Sequence, residues 1–523
     1  MSEPSKGAEQ PRQPGLLHDV SRSVFWNTAL LPVVTAAGVL LSIVVRRSFG
    51  LESGVYDVVL GIANSILFYS SLGIAGTLPR FLPELEVRGG RRAASWLVWR
   101  LASIRLGVLL VIVAALIVFE DPIAVQFNLG SDGTVYVRWM SALLVGRALL
   151  DFLYRALDSF LQQLSVNLLS LLNGILDVCL AGLAVLMGFQ IPGVVVALAA
   201  SASVTAIIAI FVVVAQLRKV PEEPPRMPHT MAHARIWKLS GVTYARDLSL
   251  YFATPAFASP VLLKTFGGPE PVAIFATSYF VAASTVTLVV SGFRGIYRPA
   301  FAHVMAAGKR AQLQRAFDLM NKMQVLAVVP AGAGLAVMVG DYLPLLYGEP
   351  FSAAVPVARV LVVLLFAETA LAVALLVLWV DEQYRPVLIA QAMMIAGAPL
   401  FIWTSAQFGL VPSALVLGGS RLAASVLGYI EARRLYGVRY PWRFAAKVTV
   451  VSLTMVASLA AVRAVWPTSL IEAVTCTLLG VFVVAVCLRL FRVLGPGELE
   501  LLARTSIPGR HLLARWLGSS PAR

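Results

Sequence analysis

The sequence predicts an all-α polytopic membrane protein of about 14 transmembrane helices, in which two pseudo-symmetric six-helix lobes are followed by two extra C-terminal helices. Three observations lead to this fold class. Of the 523 residues, 59% are hydrophobic and only 13% are charged, a balance that does not suit a water-soluble domain. Apolar spans of roughly 20 residues, long enough to cross a bilayer, recur along the chain. The outline of the first half also returns in the second.

The chain begins with a polar segment, 1–22, whose Pro, Gln and Ser content predicts a disordered cytoplasmic tail. Residues 23–216 form the predicted N-lobe, because six apolar spans follow one another there with short polar connections. These spans lie at about 24–45, 56–78, 97–119, 134–156, 168–188 and 192–216. The first span has no small-residue cleavage site behind it, so it is expected to remain as a membrane anchor.

Residues 217–237 form the longest internal polar connection, and their prolines disfavour a continuous helix. This segment is the predicted cytoplasmic linker between the lobes. The predicted C-lobe, 238–431, has spans at about 239–263, 271–293, 323–346, 354–380, 386–406 and 411–430. Residues 432–492 contain two further spans, at about 446–465 and 471–491, which have no counterpart in the first half. A basic cytoplasmic tail, 493–523, is predicted to follow.

The internal repeat is visible as residues that recur at matching places in the two halves. Matching pairs are Phe49 with Phe266, Gly50 with Gly267, Arg80 with Arg298, and Arg92 with Arg310. Each identity is weak alone, but together they indicate a chain built twice. Because each half contains an even number of spans, both halves begin on the same side of the membrane. The repeat is therefore parallel, which predicts a substrate cavity between the lobes.

Most of the 42 Lys and Arg residues lie in connections on one side of the membrane when the spans are threaded alternately. Because basic connections stay in the cytoplasm, this asymmetry predicts a multi-pass protein with both termini cytoplasmic. The net charge of +15 is explained in the same way, so nucleic-acid binding is not expected.

Several kinds of chemistry are not expected from the sequence. The fragment AAGKR at 306–310 lacks the glycine spacing of a nucleotide-binding loop. The three cysteines lie inside apolar spans, which disfavours a disulfide framework or a metal site. Connections on the outer side are short, the longest being about 120–133, so there is no room for an extramembrane enzyme domain. The sequence therefore predicts a protein that is not an enzyme and has no cofactor.

Charged residues inside the apolar spans are the candidate functional residues, since a charge at mid-membrane usually faces a cavity or a partner. They are Arg147, Asp151, Asp177, Arg246, Asp247, Glu368 and Arg421. Arg147 and Asp151 are four residues apart on one helical face, so they could neutralise each other. Alternatively, Arg147 could meet Glu368, which occupies its matching position in the repeat. Asp177 and Glu368 have no cation at helical spacing, which makes them candidates for proton or sodium coupling.

Arg46 and Arg47 end the first span on the outer side, where basic residues are otherwise avoided. They could snorkel to lipid headgroups, but their position favours contact with an anionic ligand. For Arg105, near the inner end of its span, snorkelling is the preferred interpretation.

Two pairs of residues are candidates for gating. Arg80 and Arg298 lie at matching inner ends of the second and eighth spans, where gating and membrane orientation explain them equally well. Pro255 and Pro260 interrupt the seventh span and mark it as a candidate moving element, although proline is common in membrane helices.

Four short motifs resemble one family. They are an Arg before a Phe-Gly turn (47–50), Gly-Val-Tyr at 54–56, RFLPE at 80–84 and LYGEPFSAA at 346–354. Together they resemble bacterial polysaccharide-export flippases of the multidrug/oligosaccharidyl-lipid/polysaccharide exporter superfamily. The resemblance covers nearly the whole chain, including the helix count.

The resemblance implies a flippase that moves an undecaprenyl-diphosphate-linked oligosaccharide from the inner to the outer leaflet of a bacterial inner membrane by alternating access. It implies a role in O-antigen, capsule or exopolysaccharide biosynthesis. Membrane lipids, a polysaccharide polymerase and glycosyltransferases are the implied partners. In such flippases a central cationic cavity receives the diphosphate and sugar. The residues expected to bind substrate here are Arg46, Arg47, Arg147, Arg246, Arg421 and, nearer the outer mouth, Lys264.

Relatives that flip the peptidoglycan precursor have arginines within the first span, whereas 24–45 contains no charge, which disfavours lipid II as the substrate. Two other functions compete with the flippase. A drug/cation antiporter of the same superfamily typically has twelve helices and an acid-dominated cavity. A membrane-embedded glycosyltransferase or polymerase commonly has a large outer loop or domain.

Overall fold

The computed structural model describes residues 14–127, 129–130, 132–220, 222, 230–306, 310–464, 469–491, 493 and 495. Within these ranges the chain is helical and contains no strand, which confirms the predicted all-α class. The first seven α-helices are α1 (Pro14–Phe49), α2 (Gly54–Ser70), α3 (Leu78–Val118), α4 (Glu120–Gln126), α5 (Gly133–Ser159), α6 (Gln163–Leu186) and α7 (Ile191–Lys219).

The remaining helices form the second lobe and the C-terminal extension. They are α8 (Thr230–Tyr251), α9 (Pro255–Phe266), α10 (Glu270–Ala306), α11 (Arg310–Tyr347), α12 (Val355–Leu371), α13 (Val373–Val380), α14 (Tyr384–Phe408), α15 (Leu410–Tyr436), α16 (Trp442–Arg463) and α17 (Leu470–Leu490). Every predicted span coincides with one of these helices or with two consecutive helices. The predicted seventh span is divided into α8 and α9, and the tenth into α12 and α13.

Eleven helical segments among the described residues are long and apolar enough to cross a membrane, and one of them, Ala29–Ser70, comprises both α1 and α2. Helix α5 and the α8–α9 pair are not among the eleven. Helix α5 includes the charged residues Arg147 and Asp151, which make it less apolar. Helix α8 includes Arg246 and Asp247 in the same way, and it ends at a helix break. These two spans thus both supply charged side chains to the space between the lobes.

The predicted polar segments are only partly described. Helix α1 begins at Pro14, inside the segment 1–22 that was expected to be a disordered tail. In the predicted linker, α7 ends at Lys219 and α8 begins at Thr230. Most of the residues between these helices, and nearly all of the predicted basic tail at 493–523, lie outside the described residues.

The two lobes repeat each other in backbone detail. Leu161 and Glu382 both have left-handed φ angles, 57° and 56°, although neither is glycine. Each closes the same turn, because the Leu161 N–H donates to the Asp158 carbonyl and the Glu382 N–H donates to the Trp379 carbonyl. Gly50 and Gly267, matched in the sequence, are also both left-handed. The predicted pseudo-symmetry of the lobes is confirmed.

Packing within each lobe leaves one long interface between them. In the N-lobe, α1 packs on α6 and α5 packs on α3 and α7, while in the C-lobe α12 packs on α10, α11 and α15. Across the interface, α1 contacts α10 and α2 contacts α9 and α10. Helices α16 and α17 pack on the outside of α11.

The interface has two ends. We call them the Arg46 end and the Arg80 end, after one residue that precedes α2 in the chain and one that follows it. Arg46 and Arg47 contact the other lobe at the Arg46 end, whereas a cavity separates the lobes at the Arg80 end.

Candidate functional site

Two adjoining cavities of about 580 Å³ and 550 Å³ lie between the lobes. We call the first the arginine compartment, which is lined by Asn64, Arg105, Arg147, Asn173 and Leu250 among others. The second is the tryptophan compartment, which is lined by Arg80, Thr243, Trp379, Glu382 and Tyr384 among others. Both are lined by Ser71, Asp151, Arg155, Arg246 and Asp247, so they form one continuous space.

The charge of this space is positive among the residues that the structure describes. Its arginines are Arg80, Arg105, Arg147, Arg155 and Arg246, and its carboxylates are Asp151, Asp247 and Glu382. Five arginines and three carboxylates leave an excess of positive charge. Water in the cavity screens this charge only in part, because the remaining described lining residues are neutral. The space therefore favours an anionic ligand.

Arg147 is the half-buried cation of α5, and its guanidinium makes no hydrogen bond or ion pair with any described residue. Its neighbour Asp151 is bonded instead by Arg105 at 3.0 Å and lies 3.9 Å from Arg155. Mutual neutralisation of Arg147 and Asp151, one of the two alternatives from the sequence, is therefore not what the structure contains. Arg147 lines the arginine compartment, as a substrate-binding residue would.

Arg246 reaches the same compartment from α8, on the opposite lobe. Its guanidinium lies 4.6 Å from the centre of the Trp379 ring and 3.3 Å from the carboxylate of the adjacent Asp247. The ring and the carboxylate hold the guanidinium in place, since both attract a cation. Arg147 and Arg246 thus line one cavity from the two lobes, as expected from the sequence.

Arg105 lies in the protein interior, so its predicted contact with lipid headgroups is wrong. It was expected to snorkel toward headgroups, but its side chain is only 5% exposed and donates to Asp151 across the interior of the N-lobe. Its partner lies on another helix, so helical spacing along one span could not have identified the pair. The signal available in the sequence was the presence of an unpaired carboxylate in the neighbouring span.

Glu368 and Arg421 form a pair that the sequence did not predict. Two nitrogens of Arg421 donate to the two oxygens of Glu368, at 2.7 and 3.1 Å. Arg421 also donates to the Ala253 carbonyl, at the break between α8 and α9, and to the Tyr279 hydroxyl. Glu368 therefore meets Arg421 and not Arg147. Neither residue lines the arginine or the tryptophan compartment.

Replacing Arg421 by alanine should lower the free energy of unfolding by about 3 kcal/mol, because Glu368 is then left largely buried without its cation. Denaturant unfolding of the purified protein in detergent micelles measures the change. Arg434→Ala is the matched control, since Arg434 is on the same helix but 78% exposed. Unchanged stability together with lost substrate affinity would contradict this role and would return Arg421 to the substrate site.

Asp177 lies on α6 and is buried in the N-lobe, where its carboxylate accepts a hydrogen bond from the Asn173 amide at 2.8 Å. It lies near enough to Arg147 for the two charges to attract each other. Asn173 lines the arginine compartment, so Asp177 is one side chain removed from it. As a coupling carboxylate it remains a candidate, whereas Glu368 is already occupied by an arginine.

Arg46 and Arg47 join the two lobes at the Arg46 end. Arg46 is only 3% exposed and donates to Asp57 at 3.1 and 3.2 Å, and to the Thr277 hydroxyl of the other lobe. Arg47 donates to the carbonyl of Leu346, at the end of α11, at 2.9 Å. Their partners are protein groups and not the anionic ligand expected from the sequence. Neither arginine lines the central space.

The other predicted residues are spread along the interface. Lys264 is exposed in the last turn of α9, where a cation stabilises the helix end. Arg80 lines the tryptophan compartment and lies 4.0 Å from Glu382 of the other lobe, and both side chains are more than half exposed. This loose pair forms the mouth of the cavity at the Arg80 end. The side chain of Arg298 lies outside the described residues.

Pro255 and Pro260 lie at the α8–α9 break. Thr254 is extended there, and Pro255 begins α9 at a position where its missing N–H is not needed. Pro260 has no N–H for the Ala256 carbonyl, one turn earlier in α9. The hydroxyl of Ser65 on α2 donates to that carbonyl instead, at 3.0 Å. The proline therefore creates a contact between the lobes.

A third cavity, of about 370 Å³, lies between α11, α16 and α17 and opens at their surface. Its walls are almost entirely apolar and include Pro330, Met338, Met455 and Val484. At one end, the Tyr342 hydroxyl lies 2.6 Å from the Thr477 hydroxyl. An apolar groove between membrane helices is suited to a hydrocarbon chain. We call it the apolar groove.

No family model matches the chain, and no curated protein is found to be similar to it. Solved structures do match. The lipid II flippase MurJ, in an inward closed conformation, matches 90% of this chain and 98% of its own, with a TM-score of 0.69 and 12% identity.

Two transporters of the MOP superfamily match less of the chain. An inward-facing multidrug resistance transporter of the MATE family covers 79% of this chain and 98% of its own, with a TM-score of 0.55 and 14% identity. A transporter from Pyrococcus furiosus, distinguished by the reverse polarity of its binding pocket, covers 80% and 95%, with a TM-score of 0.54 and 14% identity. The chain therefore has the fold that MurJ and these two MOP superfamily proteins share.

Proposed function

We propose that this chain is a flippase that moves an undecaprenyl-diphosphate-linked oligosaccharide between the leaflets of a bacterial inner membrane by alternating access. The observation on which the proposal depends is the pair Arg147 and Arg246, which line one cavity from opposite lobes. Arg147 has no hydrogen-bond partner among the described residues, although the charge of Asp177 attracts it, so its N–H donors are free to bind an anion in the cavity. A diphosphate provides two adjacent anionic groups, and arginine suits phosphate because its donors form a planar fork.

The apolar groove supports a lipid carrier. It lies between α11 of the C-lobe and helices α16 and α17, the two helices without a counterpart in the repeat. A polyprenyl chain is already dissolved in the hydrocarbon of the membrane, so the groove would favour it through close packing contacts and not through removal from water. A substrate with an anionic headgroup and such a chain would use both sites.

A drug/cation antiporter is the competing function, and the charges of the cavity argue against it. Asp151 and Asp247 are each engaged by arginines, and arginines outnumber carboxylates among the described lining residues. A cationic drug would therefore meet net repulsion in the same space that attracts a diphosphate. The match to MurJ, which covers more of the chain than the multidrug transporters do, favours the flippase as well.

Proton or sodium coupling belongs to the proposal, with Asp177 as its carboxylate. Glu368 has a structural role in this proposal, since both of its oxygens accept hydrogen bonds from Arg421. The same proposal places the chain in the bacterial inner membrane with both termini in the cytoplasm. It also includes a role in surface polysaccharide synthesis and cooperation with a polymerase and glycosyltransferases.

The test is lipid movement in liposomes that contain the purified chain. The probe is undecaprenyl diphosphate linked to a fluorescent N-acetylglucosamine, and dithionite quenching reports the leaflet that it occupies. Faster redistribution than in empty liposomes is expected, whereas fluorescent phosphatidylcholine should remain in its leaflet. Equal movement of both lipids would indicate a nonspecific scramblase. Movement of neither, with proton-driven uptake of ethidium, would indicate the antiporter and overturn the proposal.

A further inference from the structure

The tryptophan compartment differs in chemistry from the arginine compartment beside it. The ring of Trp379 and the ring of Tyr384 form part of its wall, with centroids 5.3 Å apart and planes at 67°. Asp247 and Glu382 place carboxylates around the same space, and Thr243 adds a hydroxyl-bearing side chain. Among the described residues, three arginines and three carboxylates line the tryptophan compartment, against four and two in the arginine compartment, so it combines aromatic surface and hydrogen-bonding groups without an excess of charge.

Trp379 is held firmly in this position. Arg246 covers one part of its ring from α8. The turn that follows is anchored because the Tyr436 hydroxyl donates to Asp381 at 2.5 Å and the Gln383 amide donates to the same carboxylate at 3.2 Å. The indole N–H donates to no described residue, so it is available to a ligand.

The fold does not require tryptophan at this place. The equivalent turn in the N-lobe has the same backbone hydrogen bond and also closes at a left-handed residue, Leu161 in place of Glu382, with Asp158 at the position of Trp379. The turn therefore forms without an aromatic ring. The indole is an addition specific to the C-lobe, on the wall of the cavity, and this makes a role toward a ligand the better explanation.

The ligand class follows from the charges. A cation would gain little here, since the Trp379 ring already contacts the Arg246 guanidinium and Asp247 is already paired with it. A neutral polyol gains more, because the C–H face of a sugar packs on an aromatic ring while its hydroxyls donate to carboxylates that retain free lone pairs. The tryptophan compartment is therefore suited to a saccharide.

The order of the two compartments matches the order of groups in a sugar-linked diphosphate. Arg246 and Asp247 line both, so one of the two groups attached to a diphosphate between Arg147 and Arg246 would lie next to Trp379, and the charged and hydroxyl-bearing lining there suits the sugar and not the polyprenyl chain. We propose that Trp379 is a specificity-determining residue that forms a sugar subsite, by which the protein distinguishes a glycosylated polyprenyl diphosphate from the bare lipid. This inference rests on the proposed flippase function.

Binding of two probes to the full chain in nanodiscs tests the inference. The probes are undecaprenyl diphosphate and undecaprenyl-diphospho-N-acetylglucosamine. We expect the wild type to bind the glycosylated probe more tightly. Trp379→Leu should weaken binding of the glycosylated probe about five- to tenfold more than binding of the bare probe, because both probes lose the ring that contacts Arg246 but only the glycosylated probe loses its own contact with the ring. Trp379→Phe, which keeps a ring, should restore most of the preference.

The controls separate a sugar contact from a structural role. Trp403→Leu removes a tryptophan that is 54% exposed on α14, and it should change neither affinity. Equal weakening of both probes by Trp379→Leu would mean that the indole only positions Arg246, and this would overturn the inference while the proposed function stands. The same holds if the wild type binds both probes equally. If the wild type binds neither probe, the proposed function fails, and the sugar subsite fails with it.

Discussion

Replacement of Gly54 by leucine is expected to hold the lobes apart at the Arg46 end and to abolish transport without unfolding the protein. Gly54 begins α2, and a side chain there would overlap the carbonyl oxygen of Pro269 in the other lobe and lie 2.6 Å from its carbonyl carbon. The neighbour is backbone, which cannot rotate away. Overpacking of this kind costs about 1–3 kcal/mol or more, so the closed state should lose at least fivefold in population.

Further contacts along the same seam support this expectation. A Cβ atom at Gly61, two turns later in α2, would lie 3.0 Å from the Ser259 side chain. The Ser65 hydroxyl and the Ala256 carbonyl join the lobes one turn beyond. The glycines therefore let α2 approach α9 closely, and the Arg46 contacts with Thr277 complete the closure.

The Gly54 variant should nevertheless fold. Gly54 has φ −58° and ψ −30°, which leucine adopts without strain, and leucine favours a helix more than glycine does. Spin labels at the exposed positions Glu52 and Lys264 measure the separation of the lobes at this end. A longer distance is expected in Gly54→Leu. Gly182→Leu is the control, because nothing lies within 4 Å of that glycine. An unchanged distance with normal transport would show that this seam does not limit opening.

The second large effect is expected from Arg147→Ala and Arg246→Ala, each of which should abolish transport while the amount of protein in the membrane stays normal. A hydrogen bond to a charged group contributes about 1.5–3 kcal/mol, so each variant should bind undecaprenyl diphosphate roughly 10- to 150-fold more weakly. Liposome transport and nanodisc binding measure the two effects. Arg138→Ala is the matched control, since Arg138 is also on α5 but is 63% exposed and paired with Glu120.

Both variants should lose some stability. Arg147 makes no hydrogen bond with a described residue, but its charge attracts that of the buried Asp177, so its removal should lower the unfolding midpoint slightly. Arg246 is paired with Asp247, so its removal leaves a carboxylate behind and should lower the midpoint slightly. Normal transport by both variants would contradict the cationic cavity. Normal transport by one of them would mean that a single lobe binds the diphosphate.

Much of the fold could be predicted because its signals are local. A span of apolar residues identifies a membrane helix without reference to the rest of the chain. The break between α8 and α9 was signalled by Pro255, since proline lacks the N–H that a continuous helix needs. The repeat was signalled by Gly50 and Gly267, which both adopt the left-handed backbone that glycine tolerates.

The candidate site was predicted less completely, because a charged residue in an apolar span indicates that a partner exists but does not identify that partner. Of the arginines expected in a central cavity, Arg147 and Arg246 line one from facing lobes, whereas Arg47 and Arg421 do not. Arg105 was misinterpreted because its partner Asp151 lies on another helix. Trp379 was not identified at all, since one aromatic residue in an apolar span carries no distinguishing signal.

The sequence by itself determined the all-α class, the positions of the spans and the duplication, because hydropathy, proline and glycine act on the segments that contain them. Only the tertiary structure decided which charges are paired. It joined Arg421 to Glu368, placed Arg46 in the contact between the lobes and left Arg147 in the cavity. The physical reason is that an ion pair in a membrane helix bundle depends on which helices are neighbours and how each is rotated, and packing across the whole chain sets both.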